Sequence, residues 1–113
     1  MMKKSSDLYG FEAGDLNSIA KQISHALDIE LEFRSSDFLG DYYRHNINNI
    51  AAISLHTNIF DFGEEIREPE FAEYPLLLYV LQSESISTIQ AKLLAAFGSN
   101  IQLLRRADHS PDS

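Results

Sequence analysis

The segment PLLLYVLQSESISTIQAKLLAAFG (75–98) changes its hydrophobic period halfway along. Leu76 to Leu81 is a continuous apolar run of strand length, the pattern of a central strand covered on both faces. Pro75 can begin such a strand but has no N–H to offer in its middle. From Ser85 onward, Ile86, Ile89, Leu93 and Phe97 recur at helical spacing, and Gly98 suits a C-terminal cap. IQLLR (101–105) then predicts a returning strand. The unit is strand–helix–strand.

A similar unit opens the chain. DLYGF (7–11) is a strand candidate, and Asp15 stands where it can cap a helix carrying Leu16, Ile19, Ile23 and Leu27, with Ala20 and Ala26 beside them. IELEF (29–33) alternates, which places Ile29, Leu31 and Phe33 on an inner face and Glu30 and Glu32 outside. Adding 70 to each position carries Leu8 and Tyr9 onto Leu78 and Tyr79, Asp15 onto Ser85, and Ile19, Ile23 and Leu27 onto Ile89, Leu93 and Phe97. Leu31 and Phe33 likewise reach Ile101 and Leu103. Any two units of this kind and length would also align in this way. Between them, SSD (35–37) and NINN (46–49) are turn chemistry flanking a strand at DYYRH (41–45). AAISLH (51–56) follows as a strand with Ile53 and Leu55 facing in. The expected fold is α+β, a single-domain two-layer sandwich. Its sheet is mostly antiparallel with two helices on one face, and the two strand–helix–strand units flank a hairpin and an acidic loop. The expected domain covers residues 1–106, with 107–113 as a disordered tail.

A chain of 113 residues suits one domain, and one of this size buries roughly two-thirds of its unfolded surface. Cysteine is absent, which removes disulfides and thiolate chemistry and fits a cytoplasmic protein. No apolar run reaches the roughly 18 residues of a membrane span, and MMKKSSDLYG has no apolar stretch of the signal-peptide kind. Neither a membrane nor a leader is expected. A formal charge of −8 argues against nucleic acid and favours a basic protein partner.

Chemistry of an enzymatic kind is hard to assemble. His45 and His56 lie on neighbouring predicted strands and, with Asp41, suggest a ligand set, but no close-spaced metal motif accompanies them. His25 and His109 stand apart. There is no nucleophile elbow and no glycine-rich phosphate loop among five glycines. Catalytic carboxylates need distinct, partly desolvated environments, whereas those of this chain cluster in one polar stretch. The expectation is a protein that is not an enzyme, with no catalytic residues, metal, cofactor or small-molecule substrate.

That polar stretch is DFGEEIREPEFAEYP (61–75). It sets six carboxylates against Arg67, and so carries five of the eight net negative charges. Like charges this close repel, so folding alone does not favour them. The connection 57–75 is about 19 residues, longer than most loops in a compact domain. Phe62, Ile66, Phe71 and Tyr74 are threaded among the acids, with Phe71 the first candidate for anchoring the loop to the core. The segment is either a solvated loop that aids solubility or a binding surface of aromatic anchors ringed by charge. On the second view the partner-binding residues are Asp41, Tyr42, Asp61, Phe62, Glu64, Glu65, Arg67, Glu68, Glu70, Glu73 and Tyr74.

LYGF (8–11) with its capped helix, DYYR (41–44) after Gly40, and EPEFAEYPLLLYV (68–80) occur in an order and spacing that resembles a group of small bacterial immunity proteins. These are encoded beside polymorphic toxins, including those of contact-dependent growth inhibition systems. The resemblance spans roughly residues 7 to 95. It implies a cytoplasmic protein that binds one cognate toxin domain and blocks it, and such toxins are often basic nucleases, including RNases. It does not transfer an inhibitory surface residue by residue. DYYR and EPEF…YP can be shared for structure, with Tyr42 or Tyr43 facing the core and Pro69 and Pro75 shaping the loop, while FGEEIR (62–67) is where partner choice would reside. The acids would then imitate the phosphates that a nuclease grips. The alternative is a non-catalytic adaptor or assembly subunit that meets another basic protein through the same loop.

Overall fold

The computed structural model describes residues 4–36, 40–47, 51–58, 68–83 and 85–109. Six strands and two helices follow in the order β1 (Lys4–Phe11), α1 (Leu16–Leu27), β2 (Glu32–Ser36), β3 (Gly40–Asn46), β4 (Ala52–Thr57), β5 (Leu76–Ser83), α2 (Ile86–Phe97) and β6 (Ile101–His109). The strands form one sheet in the order β2-β3-β4-β5-β1-β6, and every neighbouring pair is antiparallel. Both helices lie on one face, so the α+β sandwich expected from the sequence is the fold observed.

The apolar stripe of α1 explains its placement. Ile19, Ala20, Ile23 and Leu27 are buried along one side of the helix. They meet Ile89 and Leu93 of α2, Tyr9 and Phe11 of β1, Ile53 and Leu55 of β4, and Leu76, Leu78 and Val80 of β5. Asp15 caps α1 as anticipated, accepting from the Ser18 amide at 3.0 Å. That hydrogen bond holds the Asp15 carboxyl below its ordinary range. Ser85 occupies the matching position before α2 but makes no side-chain cap, and its own amide donates to Ser83 Oγ at 3.0 Å. Gly98 ends α2 at φ 55°, a left-handed conformation that suits glycine.

The repeat at an offset of 70 holds for the helices and for Leu31 and Ile101, both buried in the core, and fails for the first strand of each unit. Ile19 and Ile89 are both buried, as are Ile23 and Leu93. Tyr9, however, lies in the core beneath the helices, whereas Tyr79 points to the opposite face, where its ring meets His56. Helical phase and the phase of that first strand have slipped by one residue between the two units.

Four boundaries differ from expectation. The second strand starts at Glu32 instead of Ile29 and runs through Ser36, where a turn was expected. Leu31 is buried, but Phe33 is 54% exposed, because β2 is the outermost strand and lies beyond the cover of the helices. Residues 107–109 continue β6 and are not a tail. β1 begins as early as Lys4, which supplies partners as far as the pair Lys4↔His109. Residues 110–113 lie outside the described residues.

A buried polar group ties β6 to α2. The Asp7 side chain has no exposure and takes two hydrogen bonds from Arg106, both at 2.7 Å, and one from Tyr9 Oη at 2.6 Å. Arg106 also donates to Gln90 at 2.8 Å. Burial, with the Asp7 carboxylate beside it, pushes the Tyr9 phenol well above its ordinary value, so it stays a donor. The bidentate pair satisfies a carboxylate that would be costly if left alone.

Adjacent leucines of α2 test these faces. Leu93 is fully buried and Leu94 is 46% exposed. Leu93→Ala is expected to cost about 2–5 kcal/mol in denaturant unfolding, and Leu94→Ala no more than about 0.5 kcal/mol. Equal losses would contradict the placement of α2.

Candidate functional site

The sheet has a second face, opposite the helices, and the end of the acidic connection folds onto it. Leu8, Ser54, His56 and Leu77 are buried there. A short 3-10 turn at Pro69–Phe71 leads into a stretch whose Tyr74 ring lies over Gly10. A Cβ at Gly10 would come within 2.6 Å of that ring, so the glycine of LYGF allows the close approach.

Asn58, 1% exposed, holds the connection shut at its base. Its amide donates to the Pro75 carbonyl at 2.8 Å. Its side chain donates to the carbonyls of Phe71 at 2.8 Å and Tyr74 at 2.9 Å, and accepts from the Glu68 amide at 2.9 Å. Both side-chain polar atoms are thus engaged, and four backbone groups of the loop gain partners away from water. The two ends of the acidic connection leave the sheet from one fixed point.

Glu68 is anchored as well. It accepts from Tyr79 Oη at 2.9 Å and pairs with Arg105 at 3.5 Å. The Tyr79 ring in turn meets His56 edge-on, with centroids 5.6 Å apart. Tyr42 stacks on the other side of that imidazole at 4.9 Å, with 12° between the planes. Ser54 hydrogen-bonds His56 Nε2. A row Tyr42–His56–Tyr79–Glu68–Arg105 therefore draws on four strands, spans five of the six, and includes the end of the loop.

The candidate binding residues divide into three groups. Glu70 and Glu73 are exposed, as is Asp41, which accepts from Ser35 Oγ at 3.0 Å. Tyr42, Glu68 and Tyr74 are half-buried and tied to the sheet, so they serve the architecture. Asp61, Phe62, Glu64, Glu65 and Arg67 lie outside the described residues. Phe71, singled out as an anchor, is half-buried and contributes the carbonyl that Asn58 holds. Tyr43, not Tyr42, turns toward the helices, where its hydroxyl donates to Asn17 at 2.6 Å.

The suggested metal set does not converge. His56 faces Tyr42 on the second face, while His45 lies on the helix side and contacts the Glu30 carbonyl at 3.1 Å through Nδ1. Among the described residues, no group of three or more His, Cys, Asp or Glu side chains is placed to hold a metal ion. Nor does any described helix have the length and apolarity to cross a membrane. A polar cleft of about 300 Å³ beside β2 and β3 is lined by Glu30, Glu32, Arg44, His45 and Asn46. Both of its carboxylates are exposed, unlike a desolvated acid–base pair.

Asn58, Tyr79 and Arg105 are not marked by the sequence as parts of a site, and His56 stood out only as a metal-ligand candidate beside His45. An asparagine after a strand reads as ordinary turn chemistry, and only the return of the chain at Glu68–Pro75 gives it four partners. Gly10 did carry a signal, since glycine inside a strand marks a close approach.

Compared with models of known protein families, the chain matches none, and none of the curated proteins matches it in sequence.

Asn58→Ala is expected to lower stability by about 1–3 kcal/mol, because the loop's backbone groups lose buried partners. It is also expected to speed proteolytic cleavage between residues 59 and 75 relative to the rest of the chain. Unchanged stability and cleavage would contradict the clasp.

Proposed function

We propose that this chain is an immunity protein that binds and neutralises a cognate toxin domain, a basic nuclease of the RNase type, by covering its active site or substrate surface. The observation that carries the proposal is the acidic connection closed at its base by Asn58, with Glu70 and Glu73 exposed beside it, in a chain of charge −8. A fixed base limits the freedom that a charged loop loses on binding, which favours affinity. Complementary charge gives fast capture, and speed is what an inhibitor of an incoming toxin needs. The resemblance of LYGF, DYYR and EPEFAEYPLLLYV to immunity proteins supports the same view. On this proposal the protein acts in the cytoplasm, as a stoichiometric binder without catalysis or cofactor.

Glu68 belongs to the scaffold on this account, because reversing its charge would break the Tyr79 and Arg105 contacts. The informative substitutions are the exposed Glu70→Lys and Glu73→Lys, alone and with Glu64→Lys and Glu65→Lys. Measured against the toxin domain encoded beside this chain, they are expected to slow association by about tenfold or more at low salt. Added salt is expected to slow the unaltered protein in the same way. An association rate indifferent to both charge reversal and salt would overturn the proposal.

A further inference from the structure

The two edges of the sheet are built differently. β6 has a register shift against β1 between Leu8 and Tyr9, and it carries the exposed cations Arg105 and Arg106 at its centre. Bulges and central charges are the usual protection of an edge against pairing with another chain. β2 shows neither. It pairs with β3 in unbroken register from Glu32↔Arg44 to Ser36↔Gly40. Phe33, the second residue of the strand, is 54% exposed, with its ring edge-on to Tyr43 at 5.4 Å. Glu32 and Arg34 flank it at 3.1 Å from each other, so the strand presents an aromatic group between opposite charges.

We propose that β2 pairs antiparallel with β2 of a second copy of this chain, about a two-fold axis through Phe33. The pattern Glu32–Phe33–Arg34 is complementary to itself about that axis. Phe33 meets Phe33, and each Glu32 lies opposite the other copy's Arg34. Moving the axis by one residue sets Glu32 against Glu32 or Arg34 against Arg34, and directly opposed like charges destabilise a strand pair. The charges therefore fix the register as well as the partner.

The helices leave room for this arrangement. α1 lies against β4, two strands in from the edge. With strands about 4.8 Å apart, the two copies of α1 would be separated by about 24 Å, well over one helix diameter. The trough between them is where Phe33 and Tyr43 of both copies would gather and exclude water. This edge is two strands away from β4, and pairing there does not depend on the proposed function.

Sedimentation of the whole chain from about 1 μM to about 1 mM tests the proposal, with circular dichroism to confirm folding. The unaltered protein is expected to show a reversible monomer–dimer equilibrium. Phe33→Ser is expected to abolish the dimer. Arg34→Glu and Glu32→Arg, each alone, are expected to weaken it by about tenfold or more, since one substitution makes two cross-strand pairs repulsive. The double variant Glu32→Arg with Arg34→Glu restores opposite charges and is expected to dimerise within about threefold of the unaltered protein. A monomer at every concentration, a dimer insensitive to these changes, or a double variant no better than the singles would overturn it.

Discussion

β5 is buried from both sides, and most of the structure follows from covering it. Leu76, Leu78 and Val80 face the helices, while Leu77 faces away and is equally buried. A sheet with helices on one side only would leave Leu77 and Leu8 in water. Two fully buried leucines are together worth several kcal/mol, at about 1.5–3 kcal/mol each. The chain supplies the second cover from its own connection, by returning residues 68–75 across β1 and β5 and fixing them to Asn58. A long acidic loop thereby acquires a structural base.

Division of labour within that loop follows. Glu68, Phe71 and Tyr74 have inward work: an ion pair, a held carbonyl and a ring over Gly10. Glu70 and Glu73 have no such role among the described contacts and face solvent. Sequence composition blends the two sets, because an acid that pairs with Arg105 and one that awaits a partner look the same in a row of letters. The proposed binding function rests on the second set, and the stability of the platform on the first.

Local structure was readable where period and capping are local properties. The switch from Leu76–Leu81 to Ile86–Phe97, the Asp15 cap and the Gly98 stop all act within a few residues, and all are found in place. Strand order is not local. Alternation in IELEF put Phe33 on the helix side of the sheet correctly, yet gave no sign that β2 would be an edge where helices do not reach. The tail was misjudged for the same reason, since residues 107–109 become a strand only because β1 starts at Lys4 and pairs with them. Among the candidate site residues, the exposed acids were legible from charge alone. The clasp was not, because Asn58 gains its meaning from residues 10 to 17 positions away.

The central claim is that the acidic connection is rooted in the fold at both ends. Amide hydrogen exchange reads this directly, since the Asn58 and Glu68 amides are held by Pro75 and by the Asn58 side chain. Both are expected to exchange as slowly as the amides of β4 and β5, in the class that opens only with the sheet. Exchange of Glu68 at the rate of an open loop, with β5 still protected, would contradict the account.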